Sequence, residues 1–163
     1  MEKPSGKIKK FFKGVCMVLS VVVVLFFIAT SAITHKYKPY YGKVIDKETK
    51  EPLEGAAVLI VYKTEHYNLA GGITYFADAQ ETLTDKNGGF RIPANRIFTF
   101  RPLSGWERYP SVRIFKPGYG CYPEHKDVNP VFEYGSLPAN YFVTIELPNV
   151  RTREERPWHS YKV

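Results

Sequence analysis

Cysteine is scarce in this chain: Cys16 and Cys121 are the two in 163 residues. Cys16 falls inside an apolar N-terminal run and Cys121 far along the remainder, so no disulfide framework within one domain is available. Cys121 reads as a small buried apolar residue, with a free thiol as the alternative. Acidic residues are scarce early on, where Glu2 is the only one before Asp46. Lys3, Lys7, Lys9, Lys10 and Lys13 against Glu2 therefore supply +4 of the formal +7, leaving +3 for everything else. That residue of charge forms no basic stripe with interleaved aromatics, which argues against a nucleic-acid partner. Catalytic signatures are also missing. None of His35, His66, His125 or His159 has Glu three residues on, and there is no Cys-x-x-Cys, His-Glu-x-x-His, Walker loop or Gly-x-Ser-x-Gly elbow. We expect no catalytic residue, no metal and no cofactor.

Apolar residues make up 44% and aromatic residues 15%, enough for a packed core and too much for a disordered chain. The length suits one ordinary domain with an appendage. Residues 14–34 carry no charge, and Val15 to Ala29 is almost wholly aliphatic or Phe. About 20 apolar residues cross a bilayer core, and the lysines ahead of this run place the N-terminus in the cytoplasm. We read 1–13 as a basic cytoplasmic segment and 14–34 as a transmembrane anchor, with the rest of the chain extracytoplasmic. The alternative is a signal peptide cleaved near Ala29-Thr30-Ser31-Ala32. Either reading exports the domain to the cell envelope or beyond.

Beyond the anchor, period-two patterns dominate. Tyr40 to Asp46 alternates as a strand, and Ala56 to Lys63 is β-branched and nearly continuous in apolar character, as in a central strand. His66 to Gln80 reads as an irregular insertion, and Asp85-Lys86-Asn87-Gly88 as a tight turn whose Asn and Gly tolerate positive φ. Gly89 to Pro93, Ser111 to Phe115 and Tyr141 to Leu147 read as further strands, Ile97 to Phe100 as a short one. Residues 101–110 and 121–138 read as loops, and 149–163 as a polar tail. Short strands punctuated by turns predict an all-β sandwich over 40–148. Its expected core is Val44, Val58, Ile60, Phe90, Ile92, Ile114, Val143 and Ile145.

Two segments about thirty residues apart carry a more specific pattern. Gly42, Val44 and Asp46 lead to Pro52, Leu53, Gly55, Ala56 and Val58; then come Thr84, Asp85, Asn87, Gly88 and Phe90, and later Gly118 and Tyr119. In this order they resemble the carboxypeptidase regulatory-like domain. The resemblance covers roughly 40–120 and implies a transthyretin-like Greek-key β-sandwich that acts as a non-catalytic module. The insertion at 66–80 and everything after Gly120 depart from it. Enzymes on related sandwiches fit less well. The chain ends His159-Ser160-Tyr161-Lys162-Val163, unlike the Tyr-Arg-Gly-Ser of hydroxyisourate hydrolases, and it lacks the His-x-His of intradiol dioxygenases. A crosslinked adhesin sandwich would need a Lys43–Asn140 isopeptide.

The aromatics of the loops are the candidate binding surface: Trp106, Tyr67, Tyr75, Tyr122 and Tyr134, expected together on one side of the domain. Such residues stack on sugars or anchor a protein partner, and equally they form the small apolar cores that order long loops. We read the chain as a membrane-tethered interaction module with an envelope protein or glycan as partner. A small extracytoplasmic enzyme or metal-binding protein is the alternative.

Overall fold

The computed structural model describes residues 6–31, 34–68, 71–99, 101 and 104–150. Among the described residues the chain is all-β apart from one long N-terminal helix and a single 3-10 turn. Helix α1 runs Gly6–Ser31. It starts earlier than expected because the lysines before residue 14 are good helix formers and extend it. Its segment Lys10–Ala29 is 20 residues long, has a mean hydropathy of 2.7 and is nowhere buried against protein. At 1.5 Å per residue it spans about 30 Å, the thickness of a hydrocarbon core. By length and composition it can cross a membrane, and a signal sequence meets the same criteria.

The strands form three sheets. Strand β2 (Tyr40–Asp46) lies between β5 (Gly89–Ile92), antiparallel to it, and β9 (Phe142–Leu147), parallel to it. Strand β3 (Ala57–Asn68) pairs with β4 (Gly71–Leu83) on one edge. Its other edge takes β8 (Ser111–Phe115), then β7 (Gly105–Trp106). The third sheet is a small ribbon of β1 (Thr34–Tyr37) and β6 (Asn95–Phe98). Alternation sends Val44, Phe90, Ile92, Val143, Ile145 and Leu147 of the first sheet inward to meet Val58, Ile60, Tyr62, Val112 and Ile114 of the second. Ile97 and Tyr37 of the ribbon close the same core. All eight expected core residues are buried.

Three expectations need correction. The insertion at 66–80 is the distal half of the β3–β4 hairpin, whose register shifts between Tyr62 and Lys63. The shift breaks the alternation from which strands are read in a sequence. Residues 34–39, which fall between the expected anchor and the expected first strand, contain β1, because Thr34, His35, Lys36 and Tyr37 find partners in Phe98, Ile97, Arg96 and Asn95. The domain also extends past 148: Val150 donates its N–H to Gly118 O at 2.8 Å, and Tyr119 bridges Asn149. The tail from residue 151 lies outside the described residues.

The pattern residues are consumed in joining these elements. Val44 N–H donates to Gly88 O at 2.8 Å and Leu53 N–H to Val44 O at 3.0 Å. Gly55 N–H donates to Thr84 O, and Thr84 N–H to Ala56 O, both at 2.9 Å. Asp85 Oδ1 accepts the N–H groups of Asn87 and Gly89 at 2.8 Å each, which closes the turn before β5. Gly88 sits there at φ 72°, where a Cβ would lie 2.4 Å from Val44 O. Asp46 is buried, its Oδ1 taking N–H bonds from Glu48 and Thr49 at 2.7 and 2.9 Å and its Oδ2 the Tyr119 hydroxyl at 3.0 Å. Burial alone would raise the Asp46 pKa; the Thr49 and Glu48 amides and the Tyr119 hydroxyl outweigh it and hold the carboxyl below its ordinary value.

Thr84 is the smallest part of this web and among the most exacting. Its buried Oγ1 accepts the Ala56 N–H at 2.8 Å and donates to Leu53 O at 2.5 Å. Thr84→Val keeps the shape and orphans both groups, so it should cost about 2–3 kcal/mol. Urea unfolding of the full chain in detergent micelles measures this. A cost near zero would mean that water reaches both groups.

Candidate functional site

The structure divides the expected aromatic surface among different places. Tyr122 is fully buried within the core, its hydroxyl donating to Ser136 O at 3.3 Å and accepting the Val131 N–H at 3.1 Å. It is therefore a strut under the 121–138 loop and no surface anchor. A Tyr satisfied at both ends of its hydroxyl can be buried at little cost, and the surrounding Pro and Gly gave no sign of it. Tyr67 lies on β3 opposite Gly72; its side chain is outside the described residues. Tyr75 and Trp106 do come together, because both pair with Thr64, one from each side of β3. Arg101 joins this row, donating to Thr64 Oγ1 at 3.2 Å with its Cζ 4.7 Å above the Tyr75 ring. Trp106 lies 5.3 Å from the His35 ring and 6.0 Å, edge-on, from Tyr37. Trp106 is half-buried packing against the β1–β6 ribbon, whereas Tyr75 is exposed under the Arg101 guanidinium.

Tyr134 stands elsewhere. It sits in the 3-10 turn Glu133–Gly135 at φ 54° and is 91% exposed. A bulky residue held in the left-handed region costs on the order of 1 kcal/mol and is retained where the surroundings enforce it. Here Gly135 N–H donates to Phe132 O at 3.2 Å, and Ser136 N–H and Oγ to Glu133 O at 3.0 and 2.8 Å. The turn carries Tyr134 to a cleft of about 400 Å³ lined by Glu65, Glu107, Arg108, Tyr109, Glu133 and Tyr134. Tyr109 is braced edge-on by Phe132 at 5.5 Å, with the Arg108 guanidinium 5.3 Å from its ring.

Three carboxylates against one guanidinium give the cleft a negative balance. Glu107 is held by the Lys63 O···H–N bond of its own backbone at 3.0 Å. Its Oε2 is buried and has no hydrogen-bond partner among the described residues. Burial raises its pKa; Lys63 opposes the shift and Glu65 adds to it. Enclosed as it is, this oxygen is out of a ligand's reach; the exposed Glu133 carboxylate is the acceptor that the cleft offers beside its two tyrosines. No protein-family model, no curated protein and no solved structure matches this chain. Any functional reading therefore rests on this geometry.

The histidines among the described residues do not build a second centre. His66 pairs with Ile73 on the hairpin. His125 is buried in the loop after β8, its Nδ1 accepting the Asp127 N–H at 3.2 Å while Gly120 passes against its ring. Among the described residues no group of three or more His, Cys, Asp or Glu is placed to hold a metal ion. Cys121 is free and buried, and burial pushes its thiol up, away from the reactive thiolate. Lys43 faces Gly89 and Thr144 in register, well along the strand from Asn140.

Proposed function

We propose that this chain is a membrane-tethered, exported binding module of carboxypeptidase regulatory-like type, built on a transthyretin-like Greek-key sandwich and without catalysis of its own. The helix α1 is its retained anchor, with the basic N-terminus in the cytoplasm and the β domain outside. The resemblance supports this reading because its residues serve the fold, from the Asp46 turn to the Thr84 bridge. One observation carries the binding role: Tyr134, strained and almost fully exposed, is presented at a cleft with Tyr109 and three glutamates. Tyrosine rings cover the apolar face of a sugar, and carboxylates accept from its hydroxyls. A glycan of the cell envelope is the ligand class that this pairing suits best, with an envelope protein that offers amine donors as the other.

Glu133 and Tyr134 hold the turn through backbone atoms alone, so their side chains can be changed without touching the fold. The full chain in nanodiscs should retain envelope glycans on a glycan panel or capture a partner from envelope extract. The double variant Glu133→Gln, Tyr134→Ala should weaken that binding about thirtyfold, the loss of one aromatic anchor, at an unchanged melting temperature. Undiminished binding by the variant, or none by the native chain in either assay, would remove the basis for a binding module.

A further inference from the structure

The outer face of the β1–β6 ribbon has an arrangement that an isolated soluble domain would not favour. In this two-stranded sheet Thr34 stands directly opposite Phe98, and Lys36 directly opposite Arg96. All four side chains are exposed, and Phe98 is 70% exposed, while Tyr37 and Ile97 of the same strands turn into the core. Directly opposed side chains on one sheet face have Cβ atoms about 5 Å apart, where like charges repel. Neither Lys36 nor Arg96 has an ion pair or hydrogen bond among the described residues. Lys38, also exposed, follows directly. A large exposed aromatic beside two unpaired cations describes a surface that lacks its partner.

The tether says what the partner is. Helix α1 ends at Ser31 and β1 begins at Thr34. The three peptide steps between them reach at most about 11 Å. The headgroup layer is roughly 5–7 Å deep on each side of the hydrocarbon core. With α1 in a bilayer, Thr34 and Phe98 therefore lie in or just above that layer, and with the ribbon laid along the surface the Lys36–Arg96 row, one pleat repeat or about 7 Å farther along, stays at the same height. Phosphate oxygens at this height offset the repulsion between the two cations, and an aromatic ring at the interface is favoured there.

We propose that the outer face of the β1–β6 ribbon is a membrane-contact surface: Phe98 enters the interface and Lys36 and Arg96 bind anionic phospholipid headgroups of the bilayer that α1 crosses. The inference rests on the reading of α1 as a retained span. Its consequence is orientation. The ribbon's other face packs on Trp106 through His35 and Tyr37, so lying flat on lipid fixes how the domain stands over the membrane.

The test uses the full chain in nanodiscs of phosphatidylcholine alone or with phosphatidylglycerol. Hydroxyl-radical oxidation of Phe98 is read by mass spectrometry, and carbonate extraction from vesicles of the same lipids is run in parallel. Oxidation of Phe98 should fall at least about threefold in the anionic discs, and high salt should restore it. The double variant Lys36→Gln, Arg96→Gln should lose that protection. It should also melt no lower than the native chain, since it removes a like-charge pair. Lys36→Gln alone, with an intermediate loss, covers a double variant that folds poorly. A chain released by carbonate would overturn the anchor reading and this proposal with it. A chain retained by carbonate, with Phe98 equally oxidised in both discs or equally protected in both, would overturn this proposal and leave the anchor standing.

Discussion

Phe90→Ala should lower the unfolding free energy by about 3–5 kcal/mol, through lost transfer energy plus the cavity left behind. Phe90 is 6% exposed and sits on β5 opposite Gly42 of β2. Its ring occupies the space that Gly42 leaves open; a Cβ built on Gly42 would stand 3.0 Å from Phe90 Cε1. The ring is thus held by a backbone surface that cannot collapse into the void. Strand β5 spans only Gly89–Ile92, so it has few other contacts to keep it in place. Urea unfolding of the full chain in detergent micelles, followed by tryptophan fluorescence, measures the change. A shift below about 1 kcal/mol would mean that the register set by the Asp85–Gly88 turn is wrong.

Gly42→Ala tests the same contact from the other side, and the expected effect is as large. A Cβ at this position would lie 2.3 Å from Val143 O and 2.7 Å from Val143 Cγ2. The first of these atoms is backbone, in the parallel ladder where Gly42 partners Val143. A side chain can rotate away from a new methyl group, but a ladder carbonyl moves only if the two strands part. Overpacking of a core ordinarily costs about 1–3 kcal/mol, and here the loss of β2–β9 pairing adds to it, so the cost should exceed about 3 kcal/mol. Amide exchange should show lost protection at 142–147 before the rest of the domain. A variant with native protection there would mean that β9 lies farther from β2 than described.

The two substitutions bear on function through the scaffold. The 121–138 loop, tied by the Tyr122 hydroxyl to Ser136 O, holds beside β8 the 3-10 turn that presents Tyr134. No residue that lines the cleft lies on β2 or β9, so Gly42→Ala should reduce ligand capture only in step with lost stability. Glu133→Gln, Tyr134→Ala should weaken capture about thirtyfold and leave stability unchanged. The contrast separates a residue that touches ligand from one that only holds the scaffold.

Period-two alternation placed Val44, Val58, Ile60, Phe90, Ile92, Ile114, Val143 and Ile145 correctly in the core, because successive strand residues face opposite sides and only one side is apolar. The apolar helix and the Asp85–Gly88 turn were legible for similar local reasons: uninterrupted hydropathy in the one, and in the other an Asn-Gly pair of which Gly88 takes the positive φ. Everything that depends on which strand lies beside which was not. The sequence around Thr34 to Tyr37 is too short and mixed to announce a strand; it became one because Asn95 to Phe98 lies next to it. The register shift at Tyr62 hid the distal hairpin in the same way. Aromatic residues in loops look alike in a sequence whether they serve as struts or as anchors. Tertiary contacts buried Tyr122 and raised Tyr134 into the cleft, since a ring's burial depends on the chain that arrives from elsewhere to cover it. The sequence alone determined the alternating faces, the turn and the apolar helix, which follow from neighbours along the chain. The cleft and the opposed Lys36–Arg96 pair were decided by strand register, which only long-range pairing sets.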